Sequence, residues 1–255
     1  MMMISIPPDL RYRNLHSLVR EPDHVVSRMA AAGCIEIDVY AFVGLRLLLD
    51  RWAGSSVTID LPRDRRLAAR FQSCGLLQDL RFVVRGASVE LADAYRGVPL
   101  TRLSTAADVE RFAADVLVTS RVERPDLAAN FCAAAAEAGD NAVRHATAPA
   151  IGAMEIKATG VDLVVADAGA GIRATFAADV GSDGDALLAA TGGIGRTNGG
   201  LADIARRWPA VDGAEVILRS GHAGLVLSGG TAKHEEHGSP IRGTWMLIHV
   251  SNKEN

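Results

Sequence analysis

Cysteine, long apolar runs and any excess of one charge are all scarce in this chain of 255 residues. Cys34, Cys74 and Cys132 are too few and too scattered for a disulfide framework or a cysteine-bound zinc. No apolar run approaches the roughly 18 residues that a membrane-spanning helix requires. The 27 basic and 30 acidic residues leave a formal charge of −3, so no face is forced to be basic and a polyanion binder is not expected. The opening MMMISIPPDLRYR carries its charges after a short apolar stretch, the reverse of a secretory signal. These absences predict a soluble, cytoplasmic protein with neither a nucleic-acid nor a membrane partner.

What is present is ample material for a core. At 49% hydrophobic and 22% charged, the chain suits one large or two ordinary α/β domains. In the first half, CIEIDV alternates like a strand, AFVGLRLLLDRW has helical spacing, and SSVTIDLP returns to strand character. RRLAARFQSCGLLQDL reads as a further amphipathic helix with Gly75 as its stop. The polar, turn-rich stretch from Val89 to Asp108, interrupted by Pro99, predicts a linker and divides the chain into residues 1–95 and 96–255. The second half predicts a helix over about Ala106 to Thr119 and another from near Pro125 to about Ala146. Two short strands then surround Thr159-Gly160, the helix LADIARRW follows, and AEVILRSG, GLVLSGG and GTWMLIHV read as three closing strands. The helices are expected to cover one face of a mixed or antiparallel sheet.

Three stretches of the second half carry chemistry. In EAGDNAVRHA, Glu137, Asn141 and His145 recur every four residues and so share one helix face. A solvated stripe and a site both explain that spacing. DAGAGI sets Asp167 at the end of a strand, followed by Gly169 and Gly171, which have no Cβ to keep a flat ligand away. GGIGRTNGGL, from Gly192 to Leu201, is a glycine-rich loop opening a helix, where free backbone N–H groups can meet an anion. It lacks the Gly-Lys-Ser/Thr of a Walker loop and the leading strand of a Rossmann fingerprint.

The conjunction is more specific than its parts. Helical E-x-x-x-N, D-x-G-x-G after a strand, a glycine-rich loop before a helix, and Gly243-Thr244 opening a late strand follow one another in order. From about Leu100 to Val250 the chain therefore resembles the ATP-binding domain of gyrases, heat-shock chaperones, histidine kinases and mismatch-repair ATPases, the GHKL or Bergerat fold. Within that superfamily it looks most like the anti-sigma-factor serine kinases. The resemblance implies a two-layer α/β sandwich that binds ATP with Mg²⁺. It implies that Asn141 ligates the metal and that Glu137 polarises a water or an acceptor hydroxyl. Asp167 would accept a hydrogen bond from the adenine amino group, with Thr244 orienting it, while Gly169, Gly171 and Ile172 pass near the base. Gly193, Gly195, Gly199 and Gly200 would wrap the phosphates, helped by Asn198 and Arg196. His145 is expected to be structural, and Arg144 a solvated charge.

The first half resembles a STAS domain, the fold of anti-anti-sigma factors, through IEIDVYAFVGLRLLLDRW, VTIDLP and RLAARFQSCGLLQDLRF. In that family a phosphorylatable Ser or Thr precedes the Gly-Leu that opens a helix. Here Val43 precedes Gly44-Leu45, so the phosphoacceptor is missing. KHEEH, Lys233 to His237, is one residue short of the H-E-x-x-H zinc spacing and is expected in a solvated hairpin loop. HSLVREP, His16 to Pro22, is out of step with a histidine-kinase phosphoacceptor box. Three functions stay open: phosphotransfer from Mg-ATP to a Ser or Thr of a protein partner, an ATP-dependent interaction switch with a lid between Ile172 and Gly195, and a slow ATPase. The partner would be a regulatory factor or a phosphoacceptor, and a homodimer is compatible with each reading. The ATPase class usually adds a transducer domain, which about five residues after the last strand would not supply.

Overall fold

The computed structural model of the chain describes residues 2–11, 14–15, 26–51, 57–78, 83–86, 94–145, 150–176, 180–192 and 200–252. Along the first half run β1 (Met2–Ser5), β2 (Asp9–Leu10), β3 (Val26–Ala30), β4 (Glu36–Ile37), helix α1 (Val39–Arg51), β5 (Thr58–Asp60), helix α2 (Arg65–Ser73) and β6 (Val83–Arg85). Strands β1, β3, β5 and β6 pair in that order as a parallel sheet, and β2 pairs with β4 beside it. Parallel neighbours need a crossover between them, and α1 and α2 supply two. Asp64 starts α2 by accepting the Leu67 N–H, and Gly75, at φ +83°, follows its end. Of CIEIDV, only Glu36–Ile37 forms a strand.

Helix α1 is apolar all round, with every residue from Val39 to Leu49 buried. A helix of that composition must be covered on all sides. Gly44 lies in its interior, so the Gly-Leu pair does not open the helix. The buried Arg46 within it is answered by Asp50 at 3.1 Å and by the Gly75 carbonyl at 3.0 Å.

The second half comprises β7 (Gly97–Leu103), α3 (Ala106–Glu123), α4 (Ala128–His145), β8 (Ala150–Lys157), β9 (Gly160–Asp167), α5 (Asp183–Ala190), α6 (Gly200–Arg207), β10 (Ala214–Ser228) and β11 (Thr231–Ser251). Its five strands form a wholly antiparallel sheet in the order β10-β11-β9-β8-β7. The Val89–Asp108 stretch is therefore not all linker: residues 87–93 lie outside the described residues, but Gly97–Leu103 is an edge strand of this sheet. Pro99 is tolerated there because it falls at a register shift on the edge, where a missing N–H breaks no ladder bond. The three expected closing strands are two, β10 and β11, joined through Gly229-Gly230, both at positive φ as a tight hairpin turn demands. Lys233 to His237 accordingly belong to β11 and not to a loop.

The sheet is buried on both faces. Along β9 all eight residues are buried, and their side chains alternate between two cores. Val161, Leu163 and Val165 join the core formed with α3 to α6, while Val164 and Ala166 join the one formed with α1. The first half thus covers the face that the helices of the second half leave open, and the two halves share a continuous apolar core. Polar ties border it: Arg70 of α2 pairs with Glu155 of β8, and Asp162 takes Lys157 and His249 at 2.5 Å each. Burial pushes the Asp162 carboxyl up, but His249 and Lys157 outweigh it and leave it below its usual range.

Because separating the halves would expose apolar surface on both, they should unfold together. Urea unfolding followed by tryptophan fluorescence and by far-UV circular dichroism should give superimposable single transitions. Two resolved transitions would show that the halves are stable independently.

Candidate functional site

Helix α4 begins as a run of small apolar residues and ends polar. Ala135, Ala138, Gly139 and Ala142 are buried against the sheet and α3, and a Cβ on Gly139 would stand 2.8 Å from Val109 of α3. Small side chains let the helix lie close to its neighbours, which brings its other residues over the end of β9 and the middle of β11. Asn141 is half-buried there, while Glu137 and His145 are exposed.

Asp167 ends β9 on the side that faces α4 and is only 6% exposed. Its Oδ1 accepts the Gly169 N–H at 2.7 Å and its Oδ2 accepts the Thr244 N–H at 3.2 Å. The contact with Thr244 thus runs through the backbone. Each carboxylate oxygen retains a lone pair for a further donor. Burial pushes the Asp167 carboxyl up to about 6, opposed by those two N–H groups and by His145.

The glycines of this region are required by packing of one turn on another. Gly171, at φ +81°, would place a Cβ 2.7 Å from Ser220 Oγ, and Gly243, at φ +79°, would place one 2.0 Å from the Asp167 carbonyl. Ser220, buried in β10, ties the turns together: its Oγ accepts the Ile172 N–H at 2.8 Å and donates to the Gly243 carbonyl at 3.2 Å. Sequence reasoning did not find Ser220, because a serine inside a strand carries no motif.

Two cavities meet at Asn141. One, with about 830 Å³ of empty volume including open solvent, is lined by Asn141, His145, Asp167, Gly171, Ile172 and Thr244, with Met246, Val165 and Phe176 among its apolar walls. That mixture of apolar wall and few polar groups suits a small organic ligand. The other, of about 910 Å³ on the same measure, is lined by charged groups: Glu137, Asp140, Arg144, Asp203 and Arg206, together with Asn141 and Gly200. Glu137 therefore belongs to the second cavity and not to the first. Arg144 reaches Asp140 at 3.5 Å, and Arg206 pairs with Asp203. Gly200, the first residue of α6, lies so close to α4 that a Cβ would stand 2.0 Å from Glu137 Oε2. Gly193, Gly195, Arg196, Asn198 and Gly199 lie outside the described residues, as does His16 to Pro22.

Among the described residues, no group of three or more His, Cys, Asp or Glu side chains is placed to hold a metal alone. A cation here would rest on the Asn141 carboxamide and on oxygens brought by a ligand, which is how Mg²⁺ is commonly held beside a phosphate. Among the described residues no helix is long and apolar enough to cross a membrane. No protein-family model matches the chain, and no curated protein matches it either.

A carboxyl raised to about 6 when folded, against about 3.9 when unfolded, is charged at neutral pH at a cost of up to about 3 kcal/mol. That cost disappears as pH falls from about 6 to about 4, so this group makes the ligand-free protein more stable on acidification. Asp167→Asn cannot ionise, and the stability difference between parent and variant should change across that window. A difference that stays constant between pH 7 and pH 4 would place the Asp167 carboxyl at an ordinary value.

Proposed function

We propose that the chain is a Mg-ATP-binding regulatory protein of the Bergerat type, transferring a phosphoryl group to a Ser or Thr of a protein partner. One observation carries the reading: a buried carboxylate with spare acceptor capacity faces an apolar cavity that shares Asn141 and Gly200 with a charged one. The first cavity suits a base; the second, with three carboxylates beside two arginines already paired with two of them, would take phosphates together with Mg²⁺. Asp167 would accept the amino group of adenine, whereas guanine presents an oxygen there that a carboxylate repels. Asn141 would hold Mg²⁺ through its carboxamide oxygen, and Gly200 would stand where the glycine-rich segment meets the phosphates at a helix N-terminus. When bound, the metal-nucleotide supplies the transferable phosphoryl group and neutralises part of its charge.

The work left to this chain's residues is positioning and proton transfer. Asp167 and the walls formed by Ile172, Val165 and Met246 would orient the base. Glu137 would accept the proton of the attacking hydroxyl, as a carboxylate open to an incoming partner can. The antiparallel five-stranded sheet with α3 and α4 on one face supports the Bergerat fold. The four-stranded parallel sheet with helical crossovers supports a STAS-like first half.

The assignment predicts a division of labour along α4. Magnesium-dependent titration should give ATP roughly 10- to 100-fold tighter binding than GTP, the worth of one charge-assisted hydrogen bond to a buried carboxylate. Asn141→Ala should abolish the magnesium dependence. Glu137→Ala should leave affinity nearly unchanged and lower phosphate transfer by about 10²- to 10⁴-fold. Equal affinity for ATP and GTP would overturn the adenine assignment. Intact binding with no transfer in the parent protein would make the chain an ATP-dependent switch.

A further inference from the structure

We infer that the first half positions the adenine-reading carboxylate, and that Trp245 is the residue through which it does so. The inference rests on the nucleotide reading above but reaches beyond it, to a face of the sheet that the cavity never touches.

Strand β11 passes directly beneath the cavity, and its residues alternate between the two faces. Thr244 and Met246 line the cavity, while Trp245, between them, is 2% exposed and packs in the core shared with α1. There the indole meets the Tyr40 ring at 5.2 Å between centroids, with the planes tilted by 52°. Gly44, one turn further along α1, lies between Leu15 and the same indole: a Cβ on it would meet Leu15 Cδ2 first and would stand 2.8 Å from indole Cη2 and 3.0 Å from Cζ3. Both contacts come from the first half.

The other end of the same residue is fixed to the site. Indole Nε1 donates to the Arg242 carbonyl at 3.0 Å, which braces the register break of β11 at Gly243. The Thr244 N–H, adjacent to Trp245 in the chain, donates to Asp167 Oδ2. Across the sheet, Trp245 pairs with Ala166, the residue before Asp167. The Thr244 bond, at 3.2 Å, is already at the long end of the useful range, so a shift of a few tenths of an ångström weakens it steeply. Pressure on the indole from α1 therefore moves both the donor and the strand end that hold the carboxylate. Coupling of this kind is reciprocal: a ligand that pulls on Asp167 also changes how firmly α1 is seated.

A merely structural tryptophan would, when perturbed, lower stability and weaken every ligand alike. A positioning tryptophan changes discrimination. In the full chain, Gly44→Ala adds one methyl between Leu15 and the indole from across the sheet, without touching the cavity. Titrations with Mg-ATP and Mg-GTP should show the ATP preference narrowed about 3- to 10-fold, with GTP affinity unchanged. Tyr40→Leu should act in the same direction, and Trp245→Phe, which keeps an aromatic ring, should retain more of the preference than Trp245→Leu. Phe71→Leu is the control, since Phe71 is fully buried in the first half and packs edge-on against Phe42. It should lower urea stability and leave the preference intact. A parent preference that survives Gly44→Ala and Tyr40→Leu within twofold would overturn the inference.

A second readout requires no nucleotide. The Asp167 carboxyl, followed by carbon-13 NMR in ligand-free protein, should titrate higher in Gly44→Ala and in Trp245→Leu, because a weakened Thr244 N–H no longer favours the ionised form. A shift there in a parent that binds no nucleotide would sustain the coupling and remove the nucleotide reading. An unmoved titration in both variants would remove the coupling whatever the nucleotide does.

Discussion

The burial of Asp167 at the end of a strand covered on both faces is the constraint on which this molecule turns. A carboxylate in water has little to gain from a single donor, since it exchanges one hydrogen bond for another. Removed from water, it must be satisfied by the protein, and here two backbone N–H groups do so incompletely enough that burial still raises its proton affinity. Such a group favours a ligand that brings a donor. The apolar walls around it make that gain larger, because the interaction is less screened than in bulk water.

That arrangement requires the turn after β9 to touch the register break of β11 at Gly243, and the glycines and Ser220 are what allow it. Gly243 admits the Asp167 carbonyl where a side chain would stand, and Gly171 admits Ser220 Oγ. The reading of Gly171 as a gap for a flat ligand was incomplete: the gap is filled by the protein's own hydroxyl, and the ligand space lies beyond it. The requirement for glycine is the same in both accounts, which is why spacing alone could not separate them.

What the sequence revealed followed from local periodicity and from turn chemistry. The two helices before the hairpin, the turn at Thr159-Gly160 and the helix opening at Gly200 were legible because each depends on neighbours in the chain. The approach of Asn141 to Asp167 was legible because helix spacing and a strand end fix where such side chains lie, whereas Glu137 lines the neighbouring cavity. The second face of the sheet was not legible. Near-continuous apolar runs such as GVDLVVAD say that a strand is covered on both sides, but not by what. Strands β1, β3 and β6 are short, and their pairing is between distant segments, so no local pattern marks them. Gly97–Leu103 read as linker because an edge strand can hold a proline that a central strand cannot. Trp245 read only as one apolar residue of a closing strand, since its partners Tyr40 and Gly44 lie some two hundred residues earlier in the chain.

The placement of the first half also constrains any phosphoryl transfer. Helix α1 would carry the acceptor in a STAS domain, yet here its core is shared with Val164, Ala166 and Trp245, on the face opposite the one that α4 covers. The sheet itself therefore stands between α1 and the helix that carries Glu137. The buried residues of α1 from Val39 to Leu49 offer no Ser or Thr hydroxyl, and Tyr40 is engaged with Trp245. Helix α1 would therefore supply no acceptor to the charged cavity, on whose side Glu137 is exposed. A first half that covers the back of the five-stranded sheet is suited to a different task, that of holding in place the strands that line the cavity.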